Sequence, residues 1–541
     1  MSDYALPSGG LGAAPHKPDL DRKPHRAGRL AVPILIGAGL AYAGYNLVSD
    51  MHQAGEGGLA IGAFVLLGLA LLIALSFEFV NGFHDTANAV ATVIYTHSLP
   101  PMVAVVWSGA FNFFGVLLSS GAVAYSIVTL LPVELILQVG SSAGYCMIFA
   151  LLLAAIVWNL GTWALGLPNS SSHALIGSVI GVGLANQLMA PAGQHTSGVD
   201  WGQAVGVLRA LLFSPVCGFV LSALLLLAMK LVIRNRKLFE APDGKRPPPP
   251  MIRGLLVLTC TAVSFAHGGN DGQKGMGLIM LILIGAAPTA YALNRAMPDS
   301  TTPAFIQTAH DAQHVFETHA AGTPPVPADA ARRVVDDALR SKDLNRPRVF
   351  AALASLSGDI VQQVGDYGAI KRVPAAATPN MRNDMYLAAD AIRLLPKAGA
   401  SFDSAEAATM KTYQSALNAG TRFIPDWVKV SVAVALGLGT MVGWKRIVVT
   451  VGEKIGKTHL TYAQGAAAEL VAATTIGMAE VYGLPVSTTH ILSSGVAGTM
   501  AASGSGLQWS TVRNMAMAWV LTLPAAITLA GVLYFLLRQL F

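Results

Sequence analysis

The chain has 541 residues, of which 53% are hydrophobic and only 12% charged, with a formal net charge of +6. Soluble domains carry about 25% charged residues, and the mean hydropathy here is +0.54. This composition excludes a disordered chain, a collagen-like chain and a conventional soluble enzyme, and points to an integral protein of a lipid bilayer.

In chain order, residues 1–29 are polar and Pro-rich and read as a cytoplasmic tail carrying Lys17, Arg22, Lys23, Arg26 and Arg29. The apolar run 30–48 is one span long at about 1.5 Å per residue. It contains Ala41-Tyr42-Ala43, which resembles a signal-peptidase site. The polar stretch ahead of it is long for a leader, so an uncleaved extra membrane helix is expected. A first membrane repeat is read over 59–234, followed by a basic cytoplasmic linker over 235–253. The linker's Lys and Arg residues follow the positive-inside rule. No aromatic residues are interleaved with these charges, so no nucleic-acid partner is expected. The second repeat occupies 254–293 and 426–541. It is interrupted at 294–425, where the composition shifts to Asp, Arg, Ala and Pro. Helical spacing of apolar residues over 328–339 and 349–364 predicts a small helical extramembrane insert. The charge rule, applied to the basic run Lys445 to Lys457, puts the insert on the outer side. His310, His314 and His319 have a helical spacing that suits a metal or a solvated face, and the solvated face is the reading adopted. Cys146, Cys217 and Cys260 lie in apolar runs without CxxC spacing and read as packing residues. The expected fold is an all-α polytopic membrane protein with about 10 to 12 membrane segments.

The strongest signal is an internal repeat. Phe79-Val-Asn-Gly-Phe-His-Asp85-Thr-Ala-Asn88 matches Phe265-Ala-His-Gly-Gly-Asn-Asp271-Gly-Gln-Lys274 at Phe, Gly and Asp. Gly166-Leu-Pro-Asn-Ser-Ser-Ser-His173 matches Gly483-Leu-Pro-Val-Ser-Thr-Thr-His490 at seven of eight positions when Ser and Thr are one class. Asp85 and His173 are 88 residues apart and Asp271 and His490 are 219 apart, so the second copy carries an excess of 131 residues, about the size of the insert. Matched apolar segments interrupted by Gly and Pro predict re-entrant or broken helices around a binding site. The stretch Ser49 to Gly58 has no Lys or Arg and reads as external, whereas the linker reads as internal. Opposite starting sides predict an inverted-topology pair.

A Gly-Leu-Pro tip opening a new helix presents free N–H groups and the positive helix pole. Ser170, Ser171, Ser172, Ser487, Thr488 and Thr489 add hydroxyl donors, and two such tips make a cradle for a tetrahedral oxyanion. The hydroxyls bonding back to helix carbonyls is the plainer alternative. An intramembrane carboxylate is a functional hypothesis by default. Asp85 and Asp271 occupy matched places, flanked by Asn81, His84, Asn88 and His267, Asn270, Gln273, and such groups suit Na⁺, H⁺ or a divalent metal. A cation at the carboxylates removes their repulsion of an anion and couples the two. N-caps are the structural alternative. Where the first copy has Asn88 the second has Lys274, which argues against a Na⁺ site there and is suited to neutralise Asp271 or attract phosphate. Glu469 is a third coupling candidate, while Glu78 and Glu480 are expected near interfaces. His173 and His490 are candidate proton relays or structural histidines.

These segments resemble the PiT family of inorganic phosphate transporters, its bacterial low-affinity members above all. The residues that carry the resemblance are Asn81-Gly-Phe-His-Asp-Thr-Ala-Asn-Ala-Val90, Asn270-Asp-Gly-Gln-Lys-Gly275, Gly483-Leu-Pro-Val-Ser-Thr-Thr-His490, Trp158-Asn-Leu-Gly-Thr-Trp163 and Gly452-Glu-Lys-Ile-Gly-Lys457. The resemblance covers residues 60–541 and weakens inside the insert. It implies a multi-pass protein of the bacterial inner (plasma) membrane that imports phosphate by cation symport, with the Ser/Thr tips, Asn88, Gln273 and Lys274 on the substrate side. It places Asp85 and Asp271 in binding and coupling; the residue reading adds Asn81, Asn270 and Glu469 to the cation side, with Asp85 and Asp271 the metal candidates. Sodium-coupled relatives have Asn in place of Lys274, which favours proton coupling. No cofactor is implied, although a divalent metal can travel as part of a neutral metal–phosphate substrate. The resemblance also allows a homodimer. The competing readings are a carrier of sulfate or of a divalent metal alone, a sensor using the insert, and an enzyme acting on a phosphorylated lipid. The last lacks a Gly-x-Ser-x-Gly nucleophile elbow beside His267-Gly-Gly-Asn270.

Overall fold

The computed structural model describes residues 18–20, 26–55, 60–85, 87–128, 130, 141–190, 198–199, 201–242, 246–341 and 343–541. Most of the expected N-terminal tail lies outside the described residues. Helix α1 spans Arg26–Gln53, α2 Ile61–Asp85, α3 Ala87–Tyr95, α4 Pro101–Leu118, α5 Ala122–Val128, α6 Ser142–Ala164, α7 Ser171–Leu188 and α8 Trp201–Val232. Then follow α9 Pro250–Ala286, the insert helices α10 Thr302–His319, α11 Ala328–Ser341, α12 Pro347–Tyr367, α13 Thr378–Leu394 and α14 Ser404–Thr421, and finally α15 Asp426–Thr440, α16 Tyr462–Val481, α17 Thr488–Ser503 and α18 Trp509–Leu540. Among the described residues there is no strand, only an isolated bridge between Gly456 and Leu507.

Seven stretches among the described residues are long and apolar enough to cross a membrane: α1, α2 with α3, α4, α6, α8, α9 and α18. The pair α14 and α15, bent by 74°, makes at most an eighth. The larger sequence count takes the apolar runs at Gly254 and Leu278 as two segments, whereas they form the single helix α9. It also counts runs at Ala122 and Ala463, where α5 is only seven residues long and the Gln, Glu and Thr residues of α16 lower its apolarity. The chain is an all-α polytopic membrane protein. Helix α1 is tied to the bundle at its C-terminal end, where Asp50 Oδ2 accepts hydrogen bonds from Tyr291 Oη at 2.9 Å and from Trp427 Nε1 at 2.9 Å.

The two copies pack on each other reciprocally. In the first copy α2 leads to α4, and in the second α9 leads to α15. Helix α4 packs on α9, while α15 packs on α2. Likewise α7 packs on α18, while α17 packs on α8. Glycine permits the closest approaches, because helices in lipid gain by bringing backbones together. A Cβ on Gly82 would lie 2.2 Å from the Leu436 carbonyl oxygen, and one on the matched Gly268 would lie 2.2 Å from the Asn112 carbonyl oxygen. Gly439 against Phe79 and Gly115 against Phe265 repeat the relation, each at 2.1 Å.

One expectation is corrected. The sequence predicts a helix break in the Gly-rich segment around Asp271, but the segment lies inside the uninterrupted 37-residue helix α9. Its glycines are contact points rather than hinges: Gly268, Gly272, Gly275 and Gly277 meet Asn112, Val116, Glu78 and Ala124 on neighbouring helices.

The insert helices α10 to α14 share a core of their own, built on Phe305, Phe316, Leu353, Ile360, Met381, Met385 and Leu417. The three insert histidines do not converge. His310 and His314 are exposed, while His319 packs on Phe350 and Phe402 with ring centroids 5.2 and 5.0 Å away. Of the cysteines, Cys146 and Cys260 are buried and Cys217 is partly exposed.

The reciprocal packing predicts that Gly268→Val, which drives a side chain into the Asn112 backbone, abolishes recovery of monodisperse protein in size-exclusion chromatography. Overpacking of this kind costs about 1–3 kcal/mol or more. Gly254→Val, with nothing within 4 Å of the new Cβ, should elute as wild type.

Candidate functional site: the meeting of two helix N-termini

Each Gly-Leu-Pro tip begins with a glycine at positive φ, +67° for Gly166 and +65° for Gly483. L-residues rarely adopt that conformation, so the glycine lets the chain turn sharply out of α6 or α16. Four residues on, Ser170 and Ser487 cap the new helices. Their Oγ atoms accept the backbone N–H of His173 at 3.2 Å and of His490 at 3.1 Å, as N-cap serines do. These two hydroxyl oxygens are thus engaged in starting α7 and α17.

The two helix starts meet. Ser172 Oγ donates to the Val486 carbonyl at 2.8 Å, and the His173 and His490 rings lie 4.7 Å apart. The hydrogen bonds of these histidines do not go to Asp85 or Asp271. His173 Nδ1 pairs with Ser170 Oγ at 2.8 Å, and His490 packs on Trp519 at 4.2 Å. They wedge the tips together.

Both matched carboxylates point into this meeting place and both are buried. Thr489 Oγ1 donates to Asp85 Oδ1 at 2.8 Å, and Thr488 Oγ1 donates to Asp271 Oδ2 at 3.2 Å. One tip therefore contacts the aspartates of both copies. Lys274 Nζ lies 2.5 Å from Asp271 Oδ1, 3.2 Å from the Val486 carbonyl, and also donates to Ser172 Oγ. An ammonium has three protons, and all three have acceptors here. Lys274 thereby links α9 to both tips. His84 Nδ1 pairs with Asp85 Oδ1 at 3.0 Å, and His267 Nε2 lies 3.3 Å from Asp271 Oδ2. One ligand atom each from Asp85, His267 and Asp271 fall within 4.8 Å of one another, close enough to hold one metal ion.

The other candidate residues are placed as follows. Ser171 is buried at the start of α7, and its Oγ has no partner. Asn270 straps the second tip, donating Nδ2 to the Leu484 carbonyl at 3.1 Å. Asn81 donates to Glu78 Oε2 at 3.4 Å. Gln273 faces away from the tips: it accepts the Val123 N–H at 2.8 Å and donates to Glu480 Oε1 at 3.1 Å. Glu469 is not brought into the cluster. It accepts hydrogen bonds from Thr92 and, at 2.5 Å, from Thr259. Thr259 precedes Asp271 by twelve residues in α9, roughly 18 Å along the axis. The side chain of Asn88 lies outside the described residues.

Two further groups belong to or border the cluster. His267 sits one helical turn before Asp271, a spacing that already put it on the same face. Glu78 was expected near an interface but is fully buried, with its carboxylate against Gly275 of α9. No local pattern marks that contact.

Helix starts converging on buried carboxylates within a polytopic bundle define an integral membrane carrier rather than an enzyme. The family model for the phosphate transporter family matches residues 81–530, and the chain belongs to that family. It is 42% identical over 503 residues to the low-affinity inorganic phosphate transporter PitA of Escherichia coli (strain K12), covering 89% of this chain and 98% of that one. It is 40% identical to PitB of the same organism, over 89% and 99% of the two chains. A probable low-affinity inorganic phosphate transporter of Bacillus subtilis (strain 168) is 29% identical over 88% and 99%. A solved structure described as the sodium-dependent phosphate transporter aligns with a TM-score of 0.49 at 20% identity, over 88% of this chain and 100% of that one.

Two substitutions check the geometry. Thr489→Val removes the hydroxyl that bonds Asp85 and should cost about 1–3 kcal/mol of stability, together with at least a tenfold loss of phosphate uptake in cells lacking other carriers. Uptake within twofold of wild type would remove Thr489 from the site. Asp271→Asn leaves the Lys274 ammonium buried without its counter-charge, a loss of about 3–5 kcal/mol. The double substitution Asp271→Asn with Lys274→Met should recover much of the thermal stability and none of the uptake.

Proposed function

We propose that the chain imports inorganic phosphate across the bacterial plasma membrane by proton-coupled symport, with one binding locus at the joined starts of α7 and α17. The observation that carries this reading is Lys274 Nζ, 2.5 Å from Asp271. The second copy's carboxylate already has a resident cation there, and an ammonium repels Na⁺. The two N-terminal helix poles supply backbone donors and positive potential for the oxyanion. Phosphate reaches them by replacing the Ser172 and Val486 contacts of Lys274, whose freed protons then turn to the substrate. Ser171, whose hydroxyl is buried and unpaired, and Thr488 add donors. The two copies are related by inverted topology, and the reciprocal packing of α4 on α9 and α15 on α2 supports that relation.

The donor set of Asp85, His267 and Asp271 mixes nitrogen with oxygen. That chemistry suits a divalent transition metal better than Na⁺. It supports a substrate that travels as a metal–phosphate complex, with the metal on the carboxylates and the oxyanion on the helix starts. A neutral complex lowers the desolvation cost of carrying a doubly charged anion through a low-dielectric path. Glu469, held apart by Thr92 and Thr259, is the acid for a separate protonation step.

Purified protein in proteoliposomes should accumulate radiolabelled phosphate under an inward proton gradient and not under a sodium gradient. Accumulation driven by sodium alone would sink the proton assignment, and no uptake under either gradient would sink the symport reading. Glu469→Gln should retain phosphate exchange between equilibrated compartments while losing most gradient-driven accumulation. Equal loss of both would show that Glu469 serves substrate binding or folding, not coupling.

A further inference from the structure

Two part-buried arginines in and beside the insert are fully engaged. Arg332 uses its Nε and Nη2 on the carboxylate of Asp384, at 2.5 and 2.7 Å. Arg295 spends its donors on the carbonyls of Thr289, Lys371 and Val373 and on Thr378. Arg382, on α13, does neither. It is 2% exposed, and its Nε and Nη2 have no hydrogen-bond partner. Those two nitrogens form the fork edge with which arginine grips a planar or tetrahedral oxyanion. Arg422, just past α14, is part-buried and also leaves Nε without a partner.

The two arginines share one aromatic wall. The guanidinium carbon of Arg382 lies 4.8 Å from the ring centre of Tyr386, and that of Arg422 lies 5.7 Å from the same ring and 5.8 Å from Tyr125. Stacking on a ring engages the guanidinium face and leaves its N–H edge unsatisfied. Arginine stays charged in proteins, and a buried charge is costly unless it is paired. Burial disfavours the charge on Arg382, and the groups that offset this are the phenols of Tyr386 and Tyr125, with no carboxylate among them. The missing counter-charge is an anion.

The place of this pair in the fold suggests which anion. Tyr125 belongs to α5 of the membrane bundle, whereas Arg382 and Tyr386 belong to the insert. Two residues before Tyr125, the Val123 N–H bonds Gln273, the neighbour of Lys274. One seven-residue helix therefore separates the arginine pair from the meeting place of the tips. We propose that Arg382 and Arg422 bind inorganic phosphate at the seam between the insert and the membrane helices, a staging site for the deeper locus. The choice of phosphate rests on the function proposed above, whereas the existence of an anion site rests on the unpaired fork alone.

The test is equilibrium binding of radiolabelled inorganic phosphate to the purified full-length chain, stripped of phospholipid in detergent, at constant ionic strength. Wild type should bind two phosphates per chain, Arg382→Met with Arg422→Gln one, and Thr489→Val one. Two phosphates on the double arginine variant would overturn the seam site. If Thr489→Val instead binds as wild type while the arginine variant loses a site, the seam site stands and the deeper reading fails. Native mass spectrometry separates free phosphate from a lipid headgroup. A phospholipid retained by wild type and lost from the arginine variant, with no phosphate bound there, would overturn the assignment. Because Arg382 is deeply buried, Arg422→Gln alone is tested by thermal melting. Phosphate should raise the Tm of wild type by several degrees and that of the variant by less than half as much, and equal shifts would count against the proposal.

Discussion

The structure depends on one electrostatic problem: α7 and α17 begin against each other. Each helix start carries about half a positive charge, and like poles in a low-dielectric interior repel. The molecule answers with buried negative charge from two other helices. Asp85 lies on α2 and accepts from Thr489, while Asp271 lies within α9 and accepts from Thr488. Buried carboxylates are themselves costly unless paired, and Lys274 and His267 share that load at Asp271. The result is a tightly balanced cluster in which poles, acids and one ammonium compensate one another. A transported anion can enter such a cluster only if some of the acid charge is neutralised or displaced, and this is the physical ground of the cation coupling proposed above.

That balance requires the four chain segments to be held to within a fraction of an ångström, and the reciprocal packing does so. Backbone-to-backbone contacts at Gly82 and Gly268, and at Gly115 and Gly439, leave no room for a single methyl group. Rigid close packing of α2, α4, α9 and α15 fixes the aspartates, while the paired packing of α7 on α18 and of α17 on α8 fixes the tips. Packing of this kind in lipid rests on small residues and shape rather than on the hydrophobic effect. The same glycines that look like weak points in a helix are what permit the site.

The insert is joined to this machinery by polar contacts as well as by chain connectivity. Arg295 binds the carbonyls of Thr289, Lys371 and Val373, gathering the neck of the insert. The Asn294 N–H bonds the Gly420 carbonyl at 2.8 Å, closing its two ends on each other. Arg382 stacks on Tyr386 of the insert, and Arg422 spans from that ring to Tyr125 of the membrane bundle.

Much was legible in the sequence because it is written locally. Composition determined a polytopic helical membrane protein, and the matched Asp and Ser/Thr segments determined a duplication with its polar residues at equivalent places. The shift in composition after residue 293 marked the insert. What tertiary structure alone decided is who meets whom. Lys274 reaches Ser172 across 102 residues of chain, Thr489 reaches Asp85 across 404, and Gln273 turns away from the tips although it sits beside Lys274. The glycines around Asp271 are contact points within a continuous α9, because backbone or side chains of neighbouring helices fill the space beside them, and Glu78 is buried against one of them, Gly275. Periodicity and motif spacing encode which face of a helix a residue occupies. They do not encode which helix that face will find, since the pairing is settled by shape and charge complementarity between segments far apart in the chain.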